Sequence, residues 1–122
     1  MSDTRVFKVL RRKEWETARE RGTFSGSDDD RHDGFIHMST LEQLQGTLAK
    51  HFAGEADLVL LQIPADAVRS ILKWEPSRGG ALFPHLYVDL PLEAVNRTFN
   101  IAVSESGEHV LPSELGHAGR SA

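Results

Sequence analysis

Apolar and polar positions switch between two periods along the chain. Val6 to Leu10 is a short β-compatible run, and Arg11 to Arg21 follows with Trp15 and Ala18 set among charged residues. This predicts a strand and then a helix that Gly22 stops. Thr23 to Asp33 (TFSGSDDDRHD) holds turn formers and one apolar residue, so a surface loop is expected, of a length often reserved for function. Gly34 to Met38 returns to strand. Ser39, with Glu42 three residues on, has the form of a capping box, and Leu41, Leu44, Leu48 and Phe52 recur at helical spacing. A helix over 40–52 is predicted, with Gly54 beyond its end.

The run DLVLLQI, residues 57 to 63, is almost continuously apolar and reads as a central strand buried on both faces. Pro64 suits the first turn of a short helix through Ser70. Leu72 to Glu75 and Leu82 to Val88 read as strands around the turn-rich Pro76 to Ala81, and Val95 to Val103 as the last strand. The order implies an α+β domain over residues 1–103 with two main helices. Residues 104–122, rich in Ser, Gly and charge, read as a weakly structured tail.

Composition narrows the function. At 122 residues the chain suits one domain, and six Phe, two Trp and one Tyr help supply its core. A net charge of -4 lacks the basic excess of general nucleic-acid binders. The absence of cysteine excludes disulfides, thiolate nucleophiles and thiolate metal sites. No apolar run approaches the roughly 20 residues of a membrane span, and the N-terminus lacks a signal-peptide pattern, so a cytoplasmic protein is expected. The sequence leaves the oligomeric state open.

The candidate chemistry lies in a pattern that occurs twice, Phe35-Ile36-His37-Met38-Ser39 and Phe83-Pro84-His85-Leu86-Tyr87. On strands, Phe35, His37 and Ser39 share one face, as do Phe83, His85 and Tyr87. Neighbouring strands would then line one pocket with two imidazoles, two hydroxyls and two phenyl rings. The alternative for each histidine is a half-exposed ring bonded to backbone, with Tyr87 on a rim. Glu75 ends a strand ahead of Ser77-Arg78-Gly79-Gly80, where the glycines and Arg78 could hold an anion. The plainer reading there is a turn with a Glu75–Arg78 surface ion pair, and Trp74 is expected in the core. The aspartates at 28, 29, 30 and 33 do not have EF-hand spacing and read as a solvated loop. His37, His85 and Glu75 could form a metal set, but no HxH or HExxH spacing supports one and no metal is expected. Lys8 alternates with Val6 and Leu10 and is expected to snorkel at the sheet edge.

The segments DGFIHMST (33–40), DLVLL (57–61) and WEPSRGGALFPHLY (74–87), with the opening FKVL and EWETARERG, resemble domain-of-unknown-function family 952 over about residues 5 to 100. Members of that family resemble the ADP-ribosyltransferase fold, a split α+β structure with two small sheets around a central cleft that holds NAD in active relatives. The resemblance implies NAD as a possible substrate. In active relatives an early-strand His or Arg touches the NAD ribose, and Lys8 is what this chain offers there. A later aromatic or hydroxyl residue frames the nicotinamide, and a Glu, for which Glu75 is the candidate, supports the oxocarbenium-like transition state. The site expected is therefore His37, His85 and Glu75 as catalytic residues, with Lys8, Phe35, Ser39, Arg78, Phe83 and Tyr87 around a nucleotide-like ligand. A non-catalytic binder of a small anionic metabolite through the same residues, and a partner-binding module using helix 40–52 or loop 23–33, are the alternative readings.

Overall fold

The computed structural model describes residues 4–116, the side chain of Arg78 excepted. Strand β1 (Arg5–Arg11) leads into α1 (Arg12–Arg21), and β2 (Thr23–Phe24), α2 (Asp28–Asp33) and β3 (Ile36–His37) follow. Next come α3 (Leu41–His51), β4 (Leu58–Pro64), β5 (Leu72–Pro76), β6 (Leu82–Leu86), β7 (Leu90–Pro91), β8 (Arg97–Val103) and β9 (His109–Val110). The fold is α+β. A four-stranded antiparallel sheet has the order β1-β4-β8-β9, a three-stranded one the order β3-β6-β5, and β2 pairs with β7. No helix among the described residues is long and apolar enough to cross a membrane.

Strand alternation divides the core in two. Val6 and Leu10 of β1 lie with Val59, Leu61 and Ile63 of β4 on one face, packed with Phe24, Ile36, Met38 and Leu86. Phe7, Val9, Leu58 and Leu60 lie on the other face, against Leu44 and Leu48 of α3. The expected central strand is therefore central, with β1 and β8 on its two sides and Leu58 to Ile63 buried throughout. The two larger sheets meet at β1: Phe7 and Ser39 exchange backbone N–H···O bonds of 2.8 and 2.9 Å.

Four expectations change. Three helices form in place of two, because α2 interrupts the expected 23–33 loop. Ser27 Oγ accepts the Asp30 N–H at 3.1 Å and Asp30 Oδ2 accepts the Ser27 N–H at 2.9 Å, and an acidic first turn suits the helix dipole. The cap of α3 is Thr40, whose N–H is accepted by Gln43, one residue later than the Ser39–Glu42 box. Ser39 is instead held by β1 and by a 2.8 Å hydroxyl contact with Thr47. Trp74 is 41% exposed, because it lies on the outer strand of the small sheet opposite Pro84. Within the region expected as a tail, residues 104–116 fold back: β9 pairs with β8, and Leu115 packs under the α3 face of the core. Residues 117–122 lie outside the described residues.

Leu60, fully buried between β4 and α3, is expected to cost about 2–5 kcal/mol when truncated in Leu60→Ala. Leu82→Ala, at a 54% exposed position, is expected to stay within about 0.5 kcal/mol. Urea unfolding of the two variants checks this, and equal costs would contradict the two-faced core.

Candidate functional site

The alternation that gives β1 its apolar face also forces Lys8 onto it, between Val6 and Leu10. A buried ammonium requires acceptors, and the fold supplies them from two other elements. Asp30 of α2 lies 2.9 Å from Lys8 Nζ, and the backbone carbonyl of His37 accepts from it at 2.7 Å. The two side chains are only 8% and 2% exposed, so the sequence-based expectations of a snorkelling lysine and a fully solvated acidic stretch are both corrected. Burial pulls the Lys8 ammonium below the usual lysine range, against the opposing pull of Asp30. Burial alone would raise the Asp30 carboxyl. The His37 ring, Lys8 and the Ser27 N–H outweigh it and hold Asp30 far below the ordinary carboxylate range. Gly26 makes the approach of the preceding loop possible: its φ is +108°, and a Cβ there would sit 3.1 Å from Asp30 Cβ.

The two Phe-x-His segments run antiparallel, with His37 directly opposite His85. The same register sets Phe35 opposite Tyr87 and Ser39 opposite Phe83. The Phe35 ring lies 4.6 Å from the His37 ring, 4.1 Å from that of His85 and 5.4 Å from that of Tyr87, and the imidazoles are 5.8 Å apart. Ile36 and Leu86, of opposite parity, enter the core.

Each imidazole is tied to a carboxylate. Asp30 Oδ1 lies 2.6 Å from His37 Nδ1 and also accepts the His37 backbone N–H at 3.1 Å, while Asp33 lies 2.8 Å from His37 Nε2. Both ring nitrogens of His37 are thus engaged by carboxylates. His85 Nδ1 contacts Glu75 at 2.7 Å, and Tyr87 donates to the same oxygen at 2.7 Å. These bonds, that of His85 foremost, hold Glu75 below its usual range, and Glu75 in turn raises the Tyr87 phenol. Among the described residues no partner sits on His85 Nε2, although every buried side-chain nitrogen and oxygen is bonded. That leaves this nitrogen without a protein partner, on a residue that lines the cleft.

The cleft is about 440 Å³, within the usual range for small-molecule sites, and lies where β1, α2, α3 and the small sheet converge. Lys8, His37, Ser39, Phe83 and His85 are all on its wall. Phe35 and Tyr87 line an adjoining hollow instead, and Glu75 lines neither, acting through His85. Glu75 contacts His85 and Tyr87, and the Arg78 side chain, on which the expected Glu75–Arg78 ion pair turns, lies outside what is described. Gly79 and Gly80 do adopt left-handed φ, but the Gly80 N–H is spent on Ser77 within the turn at 2.7 Å. No group of three His, Asp or Glu residues suited to a metal ion occurs among the described residues. Sequence reasoning missed Asp30 and Asp33. Two signals pointed to Asp30: Ser27-x-x-Asp30 is a capping-box pattern, and a lysine on an apolar strand face needs a buried carboxylate.

Asp30→Asn leaves Lys8 buried without its counter-charge and is expected to cost about 3–5 kcal/mol in urea unfolding at pH 7. Lys8→Met/Asp30→Asn is expected to recover most of the loss. Since the folded-state pKa of Asp30 is depressed, its stabilisation is present above the ordinary aspartate value of 3.8 and drains as pH falls below it. The variant therefore loses that acid-dependent component. A cost under about 1 kcal/mol, with the acid slope unchanged, would contradict the arrangement.

The crystal structure of protein CC0527 from Caulobacter crescentus is 46% identical to this chain and superposes with a TM-score of 0.88, covering 93% of this chain and 100% of that one. Its solution NMR structure, 47% identical, gives 0.77 over 85% of this chain and 90% of that one. No functionally curated protein matches. The profile of the family described as protein of unknown function, DUF952, matches residues 9–98, which contain β1 from Val9 onward, α2, both Phe-x-His strands and the first two residues of β8. The chain belongs to the DUF952 family.

Proposed function

We propose that the cleft binds a nucleotide-like small molecule, NAD or an ADP-ribose derivative, and that His85 exchanges a proton with it. The observation that carries this reading is the Glu75–His85 dyad, with one imidazole nitrogen fixed by a carboxylate and the other without a protein partner, on a residue that lines the cleft. A carboxylate acceptor makes Nδ1 the donor and leaves Nε2 as the acceptor of a ligand proton. His37, with both ring nitrogens held by Asp30 and Asp33, is a positioned part of the same wall. Ser39 offers a hydroxyl and Phe83 an apolar surface for a ring. In an ADP-ribosyltransferase-like reaction the charge at the ribose carbon needs a nearby carboxylate. Glu75 fills that role only by exchanging its bonds to His85 and Tyr87 for the ligand.

That requirement supports a second reading, binding without turnover. Glu75 is turned to His85 and Tyr87 and lines no part of the cleft, so its present role is to orient an imidazole.

Titration with NAD, ADP-ribose and nicotinamide, followed by NMR, is expected to shift His37 and His85. His85→Gln is expected to weaken binding at least tenfold, about 1.4 kcal/mol, with a smaller proportional effect on melting temperature. Release of nicotinamide from NAD marks the enzyme, and saturable binding without release marks the binding protein. Silence with all three ligands would sink both readings.

A further inference from the structure

A second groove, of about 430 Å³, lies between α1 and the Thr23–Arg31 segment. Its α1 wall is formed by Lys13, Glu14, Thr17, Ala18 and Arg21, spaced i, i+1, i+4, i+5 and i+8, which is one stripe of a helix. Ala18 is buried at its base, Thr23 and Ser27 add hydroxyls from the facing segment, and the Ser25 hydroxyl is donated to Asp89 at 3.0 Å. The charge is uneven. Arg11, Lys13, Arg21 and Arg31 face two carboxylates, Glu14 and Asp28, in a chain whose net charge is -4.

The carboxylates are already engaged. Glu14 accepts the Arg11 backbone N–H at 2.8 Å and lies 3.7 Å from its guanidinium, and Asp28 lies 3.6 Å from Arg31. Arg11 is further held by Glu55 at 2.7 Å. No carboxylate among the described residues pairs with Lys13 or Arg21. Arg21 is suited to the last turn of α1, but Lys13 is in the first, where the helix dipole repels a cation. Neither cation is paired to a carboxylate among the described residues, so both are available to an anion in the groove. Eight residues of helix separate the two cations by roughly 12 Å along the axis, which long side chains can close around an extended dianion but not around a small monovalent one.

We propose that this groove binds a diphosphate group, its oxygens taken by Lys13 and Arg21 and by the hydroxyls of Thr23 and Ser27. Guanidinium and ammonium groups serve phosphoryl oxygens through charge-assisted hydrogen bonds. Arg11 and Ser27 line both the groove and the histidine cleft, so the diphosphate site opens onto that cleft. It does not require the cleft to hold a nucleotide.

The test is a titration of the full chain with inorganic pyrophosphate at low ionic strength, followed by amide NMR. Saturable shifts are expected at Thr17, Arg21 and Ser25, with orthophosphate weaker and chloride of equal ionic strength ineffective. Lys13→Glu/Arg21→Glu, at two exposed positions, is expected to weaken pyrophosphate binding at least tenfold with the spectrum of a folded protein retained. His85→Gln is expected to leave these shifts in place, which separates this site from the fate of the histidine cleft. Shifts absent, shared equally with chloride, confined to the cleft wall, or retained in the charge-reversed variant would overturn the proposal.

Discussion

A lysine that strand alternation drives into an apolar face organises this molecule. Lys8 is almost entirely buried, so the fold brings Asp30 to it, and Asp30 reaches that position only because a short capped helix forms in an otherwise polar stretch. The same carboxylate accepts from the backbone and ring of His37, which ties β1, α2 and β3 together through one side chain. Buried ion pairs of this kind contribute little net stability compared with a packed apolar replacement. Their effect here is positional: they fix the wall of a cleft and orient an imidazole in it.

The two histidines then differ in chemistry despite their matched sequence settings. His37 has a carboxylate on each nitrogen, so both its ring nitrogens are spent within the protein. His85 has one carboxylate, Glu75, which Tyr87 also holds, and its second nitrogen is open. Phe35 packs against both rings, so the pair is spaced by an apolar side chain and is not linked by a direct hydrogen bond. An oriented imidazole acceptor beside a fully held one is an arrangement suited to polar small molecules, and the cleft walls add the apolar surface such ligands need.

Much of this was legible in the residues. The apolar run at 57–63 announced the central strand, the Leu41, Leu44, Leu48 spacing announced α3, and the repeated Phe-x-His pattern located both imidazoles on strands. What the residues did not disclose was pairing across distance. Asp30 lies 22 residues from Lys8 and is hidden among aspartates that remain in solvent, so composition favoured a hydrated loop. The short β2 and β9 carry no pattern of their own, since two residues cannot express a period; β9 forms on the free edge of the longer β8, and β2 pairs with the equally short β7. The role of Glu75 was readable only in part, because a carboxylate at a strand end looks alike whether it faces a ligand or a histidine.

The account turns on the tautomer of His85, which carboxylate acceptance at Nδ1 determines. Imidazole nitrogen NMR on uniformly 15N-labelled protein reads it directly. The account predicts a proton on Nδ1 of His85 and, in its neutral form, a bare Nε2, with that Nε2 signal moving when ADP-ribose is added. A neutral His85 with its proton on Nε2, indifferent to ligand, would contradict it.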